Sequence, residues 1–385
     1  MTPERVFCGF ANWRRFGILV LCFKNLPERV LRGELMKKIA IFQCDMRIGG
    51  IQKALVNILS EIDYTQCIVD LYLFDSERYF DMPERENLNV IELKPYFFLN
   101  RVVYFEILRK FFPVVKTDME YDIAIDFNSY RNECAVGALK VKAKKRVIWI
   151  HNDVEIKKQN EPKYQVLWHF FKKKFNYFDE FCAVSPGIID GFRRTSGIYD
   201  KRVTAIPNHI DTEEIFRKRE ETIDFEVDPA HYNLCTMGRI CHQKGFDILM
   251  EQFAQVVKER EDMRLFLLGD GPDRTKLEKQ ISALGLDEYV TLLGNQANPF
   301  PYLAKMDGFV LTSRYEGQGL VIWEAKTLGL ELFISKNLEP YNPDIPGREN
   351  IAQALITAER RPKNPDYLRE YNRQIGESIR AVLEL

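Results

Sequence analysis

Short apolar runs rich in β-branched and aromatic residues alternate along this chain with stretches of helical period. From Met36 onward the strand pattern falls at 39–43, 68–74, 90–93, 122–127, 146–150, 181–184 and 203–206. Apolar residues at three- and four-residue spacing predict helices between most of them, at 52–60, 102–112, 132–141, 163–177 and 186–194. Regular strand–helix alternation implies a parallel sheet covered on both faces. Pro207-Asn208 interrupts the pattern, and the charged stretch 211–229 has no strong apolar period and reads as a linker region. The alternation then restarts. Strands are predicted at 232–237, 264–268, 290–293, 308–311 and 332–335, with helices at 246–260, 274–284, 300–305, 320–328 and, amphipathic and long, 366–383.

Two successive doubly wound α/β units put a cleft between similar domains. The expected division is residues 1–35 as an extension outside the fold, 36–210 and 211–365 as the two Rossmann-like domains, and 366–385 as a helix that returns to the first. A length of 385 residues suits two domains. In open parallel sheets ligands sit beyond the carboxyl ends of the strands, so the loops after strands are where chemistry belongs.

Composition removes several alternatives. Hydrophobic residues at 46% and charged residues at 29% are those of an ordinary globular chain, and a formal charge of −1 gives no support for nucleic-acid binding through bulk charge. None of the eight cysteines forms a C-x-x-C pair, so neither a zinc ribbon nor a redox motif is indicated, and buried thiols in a reducing cytoplasm account for them. No run approaches the roughly 20 apolar residues that span a bilayer. The five histidines show no metal-ligand spacing.

Several strand-end features carry candidate chemistry. After the run at 308–311 comes Ser313-Arg-Tyr-Glu-Gly-Gln-Gly-Leu-Val-Ile-Trp-Glu-Ala-Lys-Thr-Leu-Gly329. Glu316 stands on the loop, Glu324 lies in the second turn of the following helix, and Gly329 suits its C-terminal cap. Two carboxylates beside the free N–H groups of a helix start can hold a phosphate and several sugar hydroxyls. Spacing alone is equally that of two solvated glutamates. Gly238-Arg-Ile-Cys-His-Gln-Lys-Gly245 places Arg239 and Lys244 on one loop before a helix, a pairing suited to a diphosphate. Gly49 and Gly50 permit close backbone approach to a ligand, or simply make a tight turn. Leu268-Gly-Asp-Gly-Pro272 reads as a structural turn. His151, directly after a strand, is placed to donate a hydrogen bond into the cleft.

The ordered set G-R-x4-K-G, a strand ending in G-D-G-P, and S-x-x-E-G-x6-E-A resembles the C-terminal half of GT4-family (group 1) glycosyltransferases of GT-B fold. The Gly49-Gly50 loop, Ile150-His151-Asn152, Val184-Ser185 and Ile206-Pro-Asn208 resemble its N-terminal half. The resemblance implies a retaining transfer from a nucleoside-diphosphate sugar to a saccharide or lipid-linked acceptor, in bacterial surface polysaccharide synthesis, with no cofactor and no metal required. It implies that Arg239 and Lys244 hold the diphosphate, Glu324 the ribose, and Glu316, helped by the N–H groups around Gly317, Gln318, Gly319 and Leu320, the donor sugar. His151 would contact the sugar near the reacting carbon, and Gly49 and Gly50 would admit diphosphate and acceptor. Gln318-Gly319 replaces a common Phe-Pro, and 337–347 replaces an expected glycine-rich loop. A non-catalytic scaffold of the same fold and a nucleotide-sugar epimerase are the competing readings. Aromatic and basic residues interleave at 100–116 and 163–178. They suggest peripheral contact with an anionic membrane at the inner face of the plasma membrane, or helices that simply pack on the sheet.

Overall fold

The computed structural model describes residues 36–93, 104–111, 115 and 117–385. The extension 1–35 and parts of the basic segment 100–116, including Arg101 and Lys116, lie outside the described residues. In the first half, strands β1 (Lys37–Gln43), β2 (Cys67–Leu73), β3 (Leu88–Glu92), β4 (Glu120–Asp126), β5 (Lys142–Ile150), β6 (Glu180–Ala183) and β7 (Arg202–Ala205) alternate with helices. These helices are α1 (Gly50–Glu61), α2 (Phe105–Phe111), α3 (Asn132–Lys140), α4 (Val154–Asn160), α5 (Pro162–Phe171) and α6 (Ile189–Ser196). Helix α7 (Thr212–Lys218) bridges to the second half. There β8 (Tyr232–Met237), β9 (Met263–Leu268), β10 (Val290–Gly294), β11 (Gly308–Leu311), β12 (Glu331–Ser335) and β13 (Gly347–Arg348) alternate with α8 (Phe246–Glu259), α9 (Arg274–Ala283), α10 (Phe300–Ala304), α11 (Leu320–Thr327) and α12 (Ile351–Ile356). The last helix is α13 (Arg369–Leu383).

Every strand pair is parallel. The first sheet runs β3-β2-β1-β4-β5-β6-β7 and the second β10-β9-β8-β11-β12-β13. Strand order reverses between β1 and β4 and again between β8 and β11. At each reversal the outgoing loops diverge and leave a crevice. The loops that flank those crevices are 44–49, 127–131, 238–245 and 312–319, so topology alone brings most of the candidate residues to two facing edges.

The charged stretch read as a linker contains a helix. In α7 the Asp211 carboxylate accepts from the Glu214 N–H at 2.9 Å, acids occupy the first turn and Arg217 and Lys218 the last. Capping and dipole complementarity stabilise this short helix, with Ile215 as a buried anchor, so no apolar period was needed. The predicted helix 163–177 divides into α5 and a 3-10 turn at Lys172–Tyr177. The division carries Lys174 inward, where it is fully buried, pairs with Asp126 at 3.7 Å and donates to the Ser129 carbonyl. Tyr164, Trp168, Phe171, Phe175 and Phe178 are buried as well, so most of the aromatic side of that segment is core, and of its four lysines Lys163, Lys172 and Lys173 face water. Helix α13 begins three residues later than its pattern suggests. It buries Ile375, Ile379 and Val382 and reaches first-half residues through Arg380 to Glu61 and Lys145 to the Val382 carbonyl.

Candidate active site

The β8 and β11 loops are laced together before they offer any side chain to a ligand. Gly245 adopts φ +65°, and a Cβ there would lie 2.2 Å from the Thr312 carbonyl oxygen, so only glycine fits. The Thr312 hydroxyl donates to the Gly245 carbonyl, the Arg314 N–H to the Gln243 carbonyl, and the Gln243 amide to the Tyr315 carbonyl. Arg314 closes the edge with a two-oxygen pair to Asp247. On this frame Lys244 Nζ donates to Glu316 Oε1 at 2.7 Å, with Glu316 only 6% exposed. Two candidates 72 positions apart thus form one unit. Two ammonium protons of Lys244 remain for a ligand anion, as does the second Glu316 oxygen for a hydroxyl.

Arg239, on the same loop, is exposed and has no hydrogen-bond or ion-pair partner among the described residues. The G-D-G-P turn is structural, as read. A Cβ on Gly269 would meet the Gly238 carbonyl at 2.0 Å, and one on Gly271 the Ile240 carbonyl at 2.2 Å, so the turn is the floor on which the Arg239 loop rests.

Glu324 is buried on α11, and its carboxylate makes no protein hydrogen bond among the described residues. Burial pushes it up to about 7, opposed by the cations Lys53 and Lys244 and reinforced by Glu214. Lys53 comes from α1 and forms an ion pair with Glu214 of α7, which Lys218 also joins. Neither Lys53 nor Glu214 was singled out from sequence. Each lies on the polar side of a helix, and nothing in the pattern separates them from solvated charges.

Gly50 faces Leu320 across the crevice, with room for a Cβ at 3.9 Å from the Leu320 side chain. Gly49 precedes α1, where a Cβ would collide with the Gln52 amide, itself bonded to Asp45. His151 is oriented differently from the expectation. Its Nε2–H donates to the Phe127 carbonyl at 2.6 Å, and its ring lies 4.7 Å from that of Phe127. A carbonyl can only accept, so Nδ1 is left as an acceptor in the neutral ring. Burial pushes the imidazole down to about 4, so it stays neutral. In this geometry His151 accepts a hydrogen bond from a ligand and does not donate one.

The loop 316–319 also joins the two halves. The Ser185 hydroxyl donates to the Gly317 carbonyl at 2.5 Å, the Asp153 N–H reaches the Glu316 carbonyl, and a Cβ on Gly317 would lie 2.0 Å from the His151 carbonyl. Gly319 precedes α11. Gln318 was expected in the sugar pocket, and the structure uses its side chain elsewhere. The Asn208 N–H donates to Gln318 Oε1 at 2.6 Å, Gln318 Nε2 donates to the Tyr371 hydroxyl at 2.7 Å, and that hydroxyl donates to the Asn208 carbonyl at 3.1 Å. Trp323 stacks on Tyr371 at 4.1 Å. This closed ring ties the loop to Asn208, between β7 and α7, and to α13, which is why a glutamine stands where an aromatic residue was the alternative. Gln318→Ala would orphan a buried N–H and should cost about 1–3 kcal/mol in urea unfolding; unchanged stability would contradict the ring. The Pro- and Asn-rich segment 337–347 packs on the first half as well, with the Tyr341 hydroxyl donating to Asp153 at 3.0 Å.

Among the described residues no group of three His, Cys, Asp or Glu is placed to hold a metal ion, and no helix is long and apolar enough to cross a membrane.

Two facing parallel α/β units with reversed strand order define a GT-B fold, and solved structures agree. Anabaena HepE in complex with UDP and glucose superposes with a TM-score of 0.58 at 17% identity over 90% of this chain and 95% of that one. Sucrose-phosphate synthase of Thermosynechococcus elongatus gives 0.63 at 16% over 90% and 94%. The model for Glycosyltransferase Family 4 matches residues 48–214 and that for Glycosyl transferases group 1 matches residues 231–357. The chain belongs to the GT4, group 1 glycosyltransferase family. An uncharacterized glycosyltransferase of Methanocaldococcus jannaschii is 24% identical over 242 residues, 59% of each chain. The lipopolysaccharide core biosynthesis glycosyltransferase LpsE of Rhizobium meliloti is 30% identical over 174 residues, 44% of this chain and 48% of that one. The chain spans less than two thirds of the length of these curated relatives.

Proposed function

We propose that this protein transfers a sugar, as a hexosyl unit, from a nucleoside-diphosphate sugar to a saccharide or lipid-linked acceptor in bacterial surface polysaccharide synthesis. The observation that carries the reading is the Lys244–Glu316 pair at the meeting of the β8 and β11 loops, with buried Glu324 behind it. Negative charge grows on the leaving diphosphate. A fixed ammonium and N–H groups aimed there stabilise the transition state more than the ground state. Lys244 is assigned that task, with exposed Arg239 as the second cation. Glu316 binds hydroxyls of the donor sugar through its unpaired oxygen, with N–H groups around Gly317–Leu320 beside it. Glu324 binds the ribose hydroxyls. His151 accepts from a sugar hydroxyl near the reacting carbon, and the Gly49-Gly50 loop admits the diphosphate and acceptor. Transfer proceeds with retention of anomeric configuration and without a bound metal.

Support comes from the family membership and from relatives whose names place them in lipopolysaccharide core synthesis. Incubation with a panel of nucleotide-sugars, with and without saccharide acceptors, tests the reading through nucleotide release. Release stimulated by an acceptor is the expected result. Binding and release of no donor would favour a scaffold, and acceptor-independent turnover an epimerase.

The working place proposed for the protein is the cytoplasmic face of the plasma membrane, in peripheral contact with anionic lipid through exposed Lys163, Lys172 and Lys173 and the α2 region. Attraction of this kind is screened by salt. Pelleting with anionic liposomes should succeed at low salt and fail at high salt.

A further inference from the structure

A second cavity lies on the first domain, away from the crevice. It measures about 310 Å³ and is lined by Arg109, Leu139, Lys140, Arg146 and Tyr177. Lys140 ends α3 and Arg146 sits midway along β5, four residues before that strand's carboxyl end at Ile150. His151, next to the donor site, is five residues beyond Arg146, about 16 Å along an extended chain. The cavity is therefore separate from the site described above.

Its lining is unusual for a folding feature. Three of the five residues are cations and none is acidic. Arg146 donates to the Ala143 and Val141 carbonyls, yet its Nε is buried without a partner. An orphaned guanidinium N–H in a partly buried place is costly unless an acceptor arrives. Lys140 has no hydrogen-bond or ion-pair partner among the described residues. Arg109 lies over the Tyr177 ring at 4.7 Å and pairs with Glu106, which also accepts from the Tyr177 hydroxyl at 2.6 Å. Asp179 accepts from the Arg146 backbone N–H. Both carboxylates are thus occupied, and neither lines the cavity. Two guanidinium groups and an ammonium converging on one small space match the donors that a phosphate group takes. The volume is at the lower end of the ~300–1,000 Å³ typical of ligand pockets, which suits a headgroup better than a nucleotide.

The surroundings add a second indication. Tyr104, Ile107 and Phe111, on or beside the helix that carries Arg109, are 52%, 50% and 71% exposed. Tyr104 packs on Phe170, and buried Phe105 on the cavity residue Tyr177, so the helix that carries these apolar side chains also stands against the cavity. Apolar groups beside a phosphate-sized basic pocket are what an acidic phospholipid would meet at a membrane.

We propose that the Arg109, Lys140 and Arg146 cavity is a phosphate-binding site, distinct from the donor crevice, for a phosphate carried on a lipid headgroup or on a soluble phosphorylated compound. It does not depend on the sugar-transfer reading, and relies on the membrane reading only for the first of those two sources.

The test uses the full chain, wild type and K140Q, with K140R as the charge-restoring control and thermal melting to verify folding. Lys140 has no partner to lose, so K140Q should melt like wild type. Inorganic phosphate is titrated calorimetrically. In parallel, sedimentation is measured with phosphatidylcholine vesicles, with and without phosphatidylglycerol. Loss of one charge-assisted contact should weaken binding roughly tenfold in K140Q, with recovery in K140R. Binding to phosphatidylglycerol vesicles that inorganic phosphate competes away and K140Q weakens assigns the headgroup. Phosphate binding weakened by K140Q without vesicle binding assigns a soluble phosphorylated compound. Absence of both kinds of binding overturns the site. So does phosphate or vesicle binding that is indifferent to K140Q, because the anion is then held elsewhere.

Discussion

Lys244→Ala should lower donor turnover by about 100-fold or more, and Glu316→Ala should do the same, each with the fold intact. The magnitude follows from removing one preorganised charge-stabilising group from a water-poor site. A sharper expectation comes from their hydrogen bond of 2.7 Å. Groups that act as one unit show non-additive losses. The double variant Lys244→Ala/Glu316→Ala should therefore be little worse than either single variant. Turnover by nucleotide release, measured for all three proteins, decides. Near-normal rates in a single variant would remove the role assigned to it, and multiplied losses would show that the two side chains act independently. Stability needs a parallel measurement. Glu316 is buried, so deleting Lys244 leaves a carboxylate uncompensated. Lys244→Ala should accordingly unfold at lower urea than the double variant, in which no lone charge is left.

Glu324→Gln should make the protein more stable above pH 7 while abolishing most nucleotide affinity. Burial raises this carboxyl from an ordinary 4.5 to about 7. Between those values the folded state binds a proton that the unfolded state has released. The contribution to stability is complete below about pH 4.5 and is lost as pH rises through about 7. At pH 8 the ionised, buried carboxylate costs on the order of 3 kcal/mol relative to a neutral group. Glutamine removes that cost, so the variant's melting temperature should exceed the wild type's at pH 8, with the gap closing by pH 5. Nucleotide affinity in the wild type should fall as pH drops below 7, because a protonated carboxyl accepts hydroxyl hydrogen bonds poorly. The variant should bind weakly at every pH. A wild-type protein whose nucleotide affinity is flat between pH 5 and 8 would dissociate Glu324 from the ribose. A residue kept at the expense of stability is more easily explained by a ligand than by the fold.

Much of this architecture was legible in the chain. The runs at 39–43 and 308–311 are near-continuous apolar segments bounded by glycine or polar turns, the pattern expected of strands in a parallel sheet buried on both faces. The motif order from Gly238 to Gly329 placed Lys244 and Glu316 on two strand-end loops; the pairing of β8 with β11 then made those loops neighbours, because loops after neighbouring parallel strands emerge on the same edge. Helix α7 was missed because its stability comes from capping and charge arrangement, and the inward turn of Lys174 because its partner, Asp126, lies on a distant strand.

By itself, then, the sequence determined the two sheets, their edges, and the set of polar groups delivered to those edges, since local period and glycine stereochemistry are encoded within a few residues. Tertiary structure decided what each group does once there. It paired Lys244 with Glu316, brought Lys53 and Glu214 up to buried Glu324, turned the donor of His151 toward the Phe127 carbonyl, and drew Gln318 out of the expected pocket into the ring with Asn208 and Tyr371. Those outcomes depend on burial and on contacts between segments far apart in the chain. Burial sets which charges must be paired, and long-range packing sets which partner is within about 3 Å.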